Sequence, residues 1–281
     1  MAYSYIAARY RHIPVVITPH LHIEQEATYG IGYQLRLLRG ADHIIAMTEA
    51  ERDLLIRIGV HPWRVTTAGN GLMADAYPIR DRSSCRDRLG IPQEAFVILF
   101  LGRQEEYKGI GTVLRAFSLL RRRYPHLVLL VAGPETDYSR RIFAGYTNSQ
   151  NLLNLGKVSD HTRLDVLNAC DCLVLPSKGE AFGIVFLEAW ITGKPVIGPS
   201  TPAVSTLIQH GEDGWVVPVD DPVTLALYLK KWLDDPGLAN QMGSNGRKKV
   251  LRRYTRSHIV DIVEGVYLRT LRESYRRKRH E

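Results

Sequence analysis

Two glutamates in the second half of the chain have the spacing of a ligand site. Glu180 and Glu188 stand eight positions apart, with Gly183 between them. The buried-strand pattern of residues 172–175 precedes them, and apolar residues at helical period follow, which predicts strand, tight loop and helix. The N–H groups and positive dipole end of such a helix suit an anion such as a phosphate. Carboxylates beside that anion suit the hydroxyls of a ribose or sugar, so the layout indicates a nucleotide-linked sugar.

A second loop carries the cations that such a ligand needs. Gly102, Arg103 and Lys108 follow a predicted strand directly, and Gly109 opens the next helix. Their spacing matches neither the dinucleotide-binding nor the P-loop glycine pattern. An arginine that binds diphosphate oxygens bidentately and a lysine that acts as a point charge would together replace a metal. The alternative is an ordinary charged loop with Lys108 in solvent, and this loop alone leaves both interpretations open.

Strands and helices alternate along the chain and position these loops. From 93 to 253 every predicted strand is followed by a helix, which predicts a parallel sheet covered on both faces. Residues 1–77 predict fewer strands than a doubly wound sheet usually has. The polar segment 78–92 suits a linker between two lobes. Residues 254–281 predict a basic C-terminal helix that crosses back to the first lobe. The predicted strands are 14–17, 43–47, one near Val65, 96–101, 127–132, 151–155, 172–175, 195–197 and 214–217, and the first lobe has predicted helices near 27–39 and after Thr48, which Glu51 follows by three positions.

Composition and charge limit the class of protein. The chain has 281 residues, 45% of them apolar, and its net charge of +8 resides in segment 247–281, with 12 basic and 4 acidic residues. Such a segment suits an anionic membrane surface or nucleic acid, or is a solvated helix end. The three cysteines lack C-x-x-C spacing, so we expect neither a disulfide nor a zinc site. Free cysteines in turn indicate a reducing compartment. No apolar run approaches the ~18 residues of a membrane span, and residues 1–10 lack the apolar core of a signal peptide.

The second lobe carries motifs of one known family. From about 96 to 253 the chain resembles the donor-binding domain of family 4 glycosyltransferases, which are retaining enzymes of the GT-B fold. Two glutamates separated by seven residues are quite specific in this setting, and weaker likeness extends into the first lobe at 13–20 and 69–71. The stretches that carry the resemblance are Gly102-Arg103 with Lys108-Gly109, then 156–158, 175–189, 193–197 and 211–214.

The resemblance implies an α/β protein of GT-B-like architecture, with one complete Rossmann-like donor lobe and a partial N-terminal lobe. It implies transfer of a hexose from a UDP- or GDP-linked donor to a glycan, lipid or small-molecule acceptor. Glu188 would accept from the ribose hydroxyls and Glu180 from hydroxyls of the transferred sugar; the alternatives are that Glu180 caps the following helix and that Glu188 faces solvent. The resemblance further assigns the diphosphate to Arg103 and Lys108 beside Gly102, the sugar and phosphate to the backbone of Phe182, Gly183 and Ile184, and the base to the main chain of Lys157 and Val158.

His20 is the candidate catalytic residue of the first lobe, beside Glu180 of the second. It ends a predicted strand that would face the donor, and the family places a histidine there near the reacting carbon; the alternative is an ordinary strand-end histidine, and His22 lies close by. By the resemblance, the departing phosphate itself takes the proton of the acceptor, so the protein mainly positions the donor and stabilises charge on the diphosphate. The sequence has no Asp-x-Asp motif, and we expect neither a metal nor another cofactor.

The first lobe departs from the family pattern. A complete GT-B enzyme has two lobes of similar size, whereas this one lacks the front strands and the Gly-rich loop of the acceptor side. We therefore expect that the start is an internal methionine of a longer gene or that a protein partner completes the lobe. The rival hypothesis is a non-catalytic or partner-dependent nucleotide-sugar-binding subunit, and a nucleotide-sugar epimerase fits less well. The expected location is cytoplasmic, with the basic C-terminus at the inner face of an anionic membrane and no nucleic-acid partner.

Overall fold

The chain folds into two α/β lobes. The computed structural model describes residues 2–21, 32–146 and 151–279. These residues form one three-stranded and one six-stranded sheet, and every strand pairing in both is parallel. The predicted α/β class, with a complete parallel sheet in the second lobe, is confirmed. The strands are β1 (Val16–Ile17), β2 (His43–Ala46) and β3 (Val65–Thr67) in the first sheet, and β4 (Phe96–Leu101), β5 (Leu127–Ala132), β6 (Leu152–Asn154), β7 (Cys172–Val174), β8 (Val196–Pro199) and β9 (Gly214–Val217) in the second.

Helices connect these strands, as the sequence predicts. The helix predicted near 27–39 is observed from Gly32, and its first predicted residues lie outside the described part of the chain. The helices are α1 (Ala2–Tyr10), α2 (Gly32–Gly40), α3 (Glu49–Arg57), α4 (Arg82–Leu89), α5 (Ile110–Leu120), α6 (Asp137–Phe143), α7 (Asp160–Ala169), α8 (Ile184–Ile191), α9 (Pro202–Leu207), α10 (Pro222–Asp234), α11 (Pro236–Arg253) and α12 (Arg256–Lys278).

A buried glutamate organises the strand ends of the first lobe. Thr48 caps α3 by accepting the backbone N–H of Glu51 at 3.1 Å, as predicted. The Glu51 side chain accepts the N–H of Leu21 at 2.6 Å and that of Met47 at 2.5 Å. Because Met47 follows β2 and Leu21 lies just beyond β1, this carboxylate fixes the loop that carries His20 against the end of the neighbouring strand.

The six-stranded sheet is wound in two directions from its centre. In space its strands lie in the order β6-β5-β4-β7-β8-β9. The chain runs outward from β4 to β6, returns to β7 beside β4, and runs outward again to β9. The carboxyl ends of β4 and β7 are therefore neighbours at the topological switch point, where open α/β sheets bind ligands.

The segment 78–92, predicted as a linker, contains helix α4 and packs on the second lobe. Asp81 caps the helix, and the fully buried side chain of Arg86 donates to the carbonyl oxygens of Gln93, Ala95 and Ala169 at 2.5, 2.8 and 3.1 Å. Arg86 also pairs with Asp171 at 2.9 Å. Part of the charge of this polar segment is thus internal, because the buried arginine is bonded to five acceptors, the fifth being the oxygen of Pro92 at 3.3 Å.

Helix α12 returns to the first lobe. Its residues Ile259, Ile262 and Val266 form an apolar cluster with Ile45 and Ala68 of the first lobe. The turn before it is held by two backbone bonds with Leu72, of 2.8 Å from its N–H and 2.7 Å to its oxygen. The lobes are thus joined at the chain end as well as by the segment before α4.

Candidate functional site

The loops that follow β4 and β7 are in direct contact. The N–H of Lys178 donates to the oxygen of Tyr107 at 2.6 Å. Gly109 has φ +80°, and a Cβ at this position would lie 2.4 Å from the oxygen of Pro176. Glycine is therefore required at 109 both by the left-handed backbone and by the close approach of the second loop. Both loops follow strands of one parallel sheet and so lie at the same edge, and the neighbouring positions of β4 and β7 explain their contact.

Between these loops lies a cavity of about 490 Å³. Of the eleven site residues that the sequence singles out, eight line it: Gly102, Arg103, Lys108, Lys157, Val158, Glu180, Gly183 and Ile184. Glu188, Phe182 and His20 are not among the lining residues. The sequence did not single out Tyr107, Gly133, Pro134, Asp160 or Arg163, which also line the cavity.

Lys108 and Glu180 form an ion pair at the cavity wall. The Nζ of Lys108 lies 2.6 Å from Oε1 of Glu180, and the hydroxyl of Ser177 donates to the same oxygen at 3.1 Å. Their side chains are only 18% and 12% exposed. Glu180 does not cap α8, because the N-cap is Gly183 and no side chain provides the cap. A ligand that reaches these groups would meet a paired lysine and carboxylate rather than two separate charges.

Arg103 has a different environment. Its side chain is 65% exposed and pairs with Glu105, with 2.8 Å between Nη2 and Oε1. Exposed ion pairs of this kind contribute ~0 to 1 kcal/mol. An anion in the cavity can therefore take over the guanidinium at little cost.

The N-terminus of α8 faces the same cavity. Gly183 has φ +86°, and a Cβ there would lie 2.6 Å from the Phe186 ring, so this cap position too needs glycine. Ile184 and Val185, the first residues of the helix, line the cavity. Backbone N–H groups in the first turn have no partner within a helix, and with the helix dipole they favour an anion.

Glu188 lies buried behind the cavity. Its side chain is 4% exposed, its Oε1 accepts the hydroxyl of Tyr77 at 2.8 Å, and its Oε2 pairs with Arg163. Burial, and then the charge and hydrogen bond of Glu188, raise the pKa of Tyr77. Burial lowers the pKa of Arg163, but the hydrogen bond and the charge of Glu188 outweigh burial, so this pKa is raised overall. The alternative that Glu188 faces solvent is wrong, and its two partners carried no local sequence signal because they lie 111 and 25 positions away.

Phe182 and His20 lie outside this cavity. The buried ring of Phe182 packs edge-on against Tyr254, with 5.8 Å between ring centroids, and lines a second cavity of about 280 Å³ with Gly69 and Met47 of the first lobe. His20 follows β1, is exposed and has φ +53°. His22, the competing candidate, lies outside the described residues.

In the described ranges no cluster of three or more His, Cys, Asp or Glu side chains could hold a metal ion. The three cysteines are buried free thiols, and burial raises the pKa of Cys170 to about 12. Among the helices of residues 2–21, 32–146 and 151–279, none is both long and apolar enough to cross a membrane.

Known proteins share this sequence and fold. Residues 81–249 match the family described as glycosyl transferases group 1, and residues 1–75 match glycosyltransferase family 4. The chain is 31% identical over 230 residues to D-inositol 3-phosphate glycosyltransferase 2 of Catenulispora acidiphila, covering 77% of this chain and 54% of that protein. Identity to the D-inositol 3-phosphate glycosyltransferase of Streptomyces avermitilis is 30%, covering 75% and 48%. The chain thus spans about half the length of these curated relatives.

Solved structures extend the likeness in fold. The crystal structure of Anabaena HepE in complex with UDP superposes with a TM-score of 0.83 at 22% identity, covering 94% of this chain and 75% of that one. The structure of sucrose-phosphate synthase from Thermosynechococcus elongatus superposes with a TM-score of 0.81 at 22% identity, covering 96% of this chain and 71% of that one. The fold is therefore GT-B-like. With more than half of its length matched by the first family, this chain belongs to the glycosyl transferases group 1.

Proposed function

We propose that this chain binds a nucleoside diphosphate sugar and transfers its hexose to an acceptor, with retention at the anomeric carbon and without a metal. The observation that carries the proposal is the cavity at the switch point. There two cationic side chains, an uncapped helix N-terminus and Glu180 meet, with Glu188 directly behind. These groups match the charges and hydroxyls of such a donor in one connected site.

The diphosphate is assigned to Arg103, Lys108 and the N-terminus of α8. Arg103 can exchange its weak pairing with Glu105 for phosphate oxygens, which it can bind bidentately. Lys108 adds a point charge, and the first N–H groups of the helix add donors. Together they supply the positive charge for a departing diphosphate that a metal supplies in other enzymes.

The sugar and ribose are assigned to the two glutamates. When the diphosphate draws Lys108 away, or shares it, Glu180 gains acceptor capacity for sugar hydroxyls. Glu188 serves the ribose, and the backbone of Lys157 and Val158 the base. The solved Anabaena HepE complexes contain UDP, UDP-glucose, or UDP and glucose, which favours a UDP-linked hexose as the first donor to test.

In the reaction, the bond between the anomeric carbon and the diphosphate oxygen breaks as the acceptor oxygen bonds to the same face of that carbon. The proton of the acceptor hydroxyl passes to the departing phosphate oxygen. The side chains of the cavity hold the donor and stabilise the charge that develops on the leaving group. His20 is proposed to face the reacting carbon from the first lobe, on the loop that Glu51 fixes.

The acceptor is proposed to be a hydroxyl compound that enters from the first lobe. The curated relatives are named for D-inositol 3-phosphate, so a phosphorylated polyol is the first acceptor to test, before glycans and lipids. The second candidate function is a nucleotide-sugar-binding subunit that depends on a partner. The cavity is consistent with it, because all of its lining residues come from the second lobe and donor binding therefore needs no side chain of the first.

The test combines calorimetry with UDP and GDP and an assay of donor hydrolysis and transfer, all in EDTA. Binding with turnover, and a product with the anomeric configuration of the donor by NMR, is the expected result. Binding without turnover would support the subunit instead. Loss of turnover in EDTA, with recovery on addition of Mg²⁺, would contradict the metal-independent mechanism.

A further inference from the structure

The buried carboxylate of Glu188 is held by two side chains from distant parts of the chain. Tyr77 belongs to the segment that leaves the first lobe, and Arg163 lies on α7. Tyr77 donates to one carboxylate oxygen and Arg163 to the other. Only Arg163 of these three lines the cavity, and its Nη2 reaches the Glu188 carboxylate behind the wall.

The two donors leave Glu188 with acceptor capacity. A carboxylate offers about four lone-pair positions on its two oxygens. One hydrogen bond at each oxygen fixes the plane of the group and leaves about one further position on each. Two neighbouring hydroxyls, such as the 2′ and 3′ hydroxyls of a ribose, are the ligand groups that fill such a pair.

Arg163 has donor capacity of its own at this point. Its Nε is buried and has no hydrogen-bond partner among the described residues, although its Nη2 binds Glu188. The guanidinium is planar and has five donors in fixed geometry, so it cannot rotate one group without moving the others. A hydroxyl at the cavity wall can therefore donate to Glu188 and accept from Arg163 at the same time.

We propose that Tyr77 and Arg163 are positioning residues that set the orientation of Glu188, and that with it they select donors carrying an intact ribose diol. This rests on the proposed function, since it concerns the nucleotide end of the same site. A site built to hydrogen-bond a hydroxyl rejects the analogue that lacks it, because its buried polar groups are left unpaired. Since Tyr77 lies at the exit of the first lobe, ribose recognition also depends on how that segment joins the second lobe.

The experiment measures affinities for UDP, 2′-deoxy-UDP and 3′-deoxy-UDP by calorimetry on the full chain. The variants are Tyr77→Phe, Arg163→Met and Arg163→Lys. Tyr124→Phe and Arg140→Met are matched controls, because Tyr124 bonds Asp234 and Arg140 pairs with Asp137, away from the cavity. Thermal unfolding of each preparation reports whether a variant is folded.

Wild type is expected to prefer UDP over each deoxy analogue by roughly 10- to 150-fold, the range for a hydrogen bond to a charged group. In Tyr77→Phe and Arg163→Met this ratio should fall at least threefold while affinity for the deoxy analogues stays within twofold, with Arg163→Lys intermediate. The controls should keep the wild-type ratio.

An unchanged or larger ratio in both variants would overturn the inference, as would equal weakening of UDP and its analogues, which indicates a merely structural role. A ratio that falls in one variant alone would overturn the paired arrangement. Absence of any UDP or GDP binding by wild type would instead refute the proposed function.

Discussion

Removal of the ammonium group of Lys108 tests whether this residue binds the diphosphate or only stabilises the fold. In Lys108→Ala the diphosphate loses a point charge, and Glu180 loses a partner 2.6 Å away. Loss of a group that stabilises transition-state charge costs ~2 to 4 kcal/mol, or roughly 30- to 900-fold in kcat/KM. The cost in folding is smaller, about 1 to 2 kcal/mol, between the values for exposed and buried ion pairs, because Glu180 keeps the hydroxyl of Ser177.

The assay is initial rates over a range of donor concentrations, with urea unfolding on the same preparations. Lys230→Ala is the matched control, because Lys230 pairs with Asp234 four positions later on α10, away from the cavity. That variant should lose no more than about 0.5 kcal/mol in stability and keep the wild-type kcat/KM.

The Glu180→Gln background separates direct from indirect action of Lys108. If Lys108 binds the diphosphate, Lys108→Ala will reduce kcat/KM further in that background by a similar factor. If it only orients Glu180, the second change will have no further effect, since both changes then act through one group. That absence of further loss, or wild-type kcat/KM in Lys108→Ala itself, would refute the assignment.

Three further outcomes are expected. Arginine hydrogen bonds, led by that of Arg88, lower the pKa of Asp165, so the ionised carboxylate stabilises the fold fully above pH ~4 and progressively less as the pH falls below that value. The unfolding free energy of Asp165→Asn, measured by urea titration, should therefore lie about 1 to 3 kcal/mol below that of wild type at pH 7, and the difference should be smaller at pH 3. Gly109→Ala should lower both Tm and UDP affinity. Gly90 has φ +67° and no atom within 4 Å of an added Cβ, so Gly90→Ala should lower Tm alone, through a left-handed backbone strain of about 1 to 2 kcal/mol. Flotation with anionic liposomes should decrease on charge reversal of Arg272 and Arg276, and insensitivity would contradict membrane binding through α12.

Local signals in the sequence predicted the elements of the fold well. The strands 96–101 and 127–132 match β4 and β5 residue for residue, because continuous apolar runs between polar loops are typical of a buried parallel sheet. The cap at Thr48 also follows from a local pattern, since the side chain and the N–H it binds are three positions apart. The composition of segment 78–92 does not reveal the helix within it, because composition does not show that the charge of Arg86 is bonded internally.

Sequence motifs singled out eight of the residues that line the cavity, but not how their side chains pair. Motif spacing identified the two loops, and the strand order accounts for their contact. The pairing of Lys108 with Glu180 joins residues 72 positions apart, and that of Tyr77 with Glu188 residues 111 apart. Such pairings depend on how helices settle on the sheet, and no periodic pattern encodes them. The sequence therefore predicts that the two glutamates bind hydroxyls, but it does not predict which side chains hold the glutamates in place.

Calorimetry of the wild-type chain with UDP and with UMP, both in EDTA, decides whether the donor site is anchored through the diphosphate. The cations and helix N-terminus at the switch point are assigned to the second phosphate as well as the first. UDP should therefore bind at least tenfold more tightly than UMP, and the difference should shrink in Arg103→Ala and Lys108→Ala. Equal affinity for UDP and UMP, or a difference that both variants leave unchanged, would contradict a diphosphate-anchored donor site.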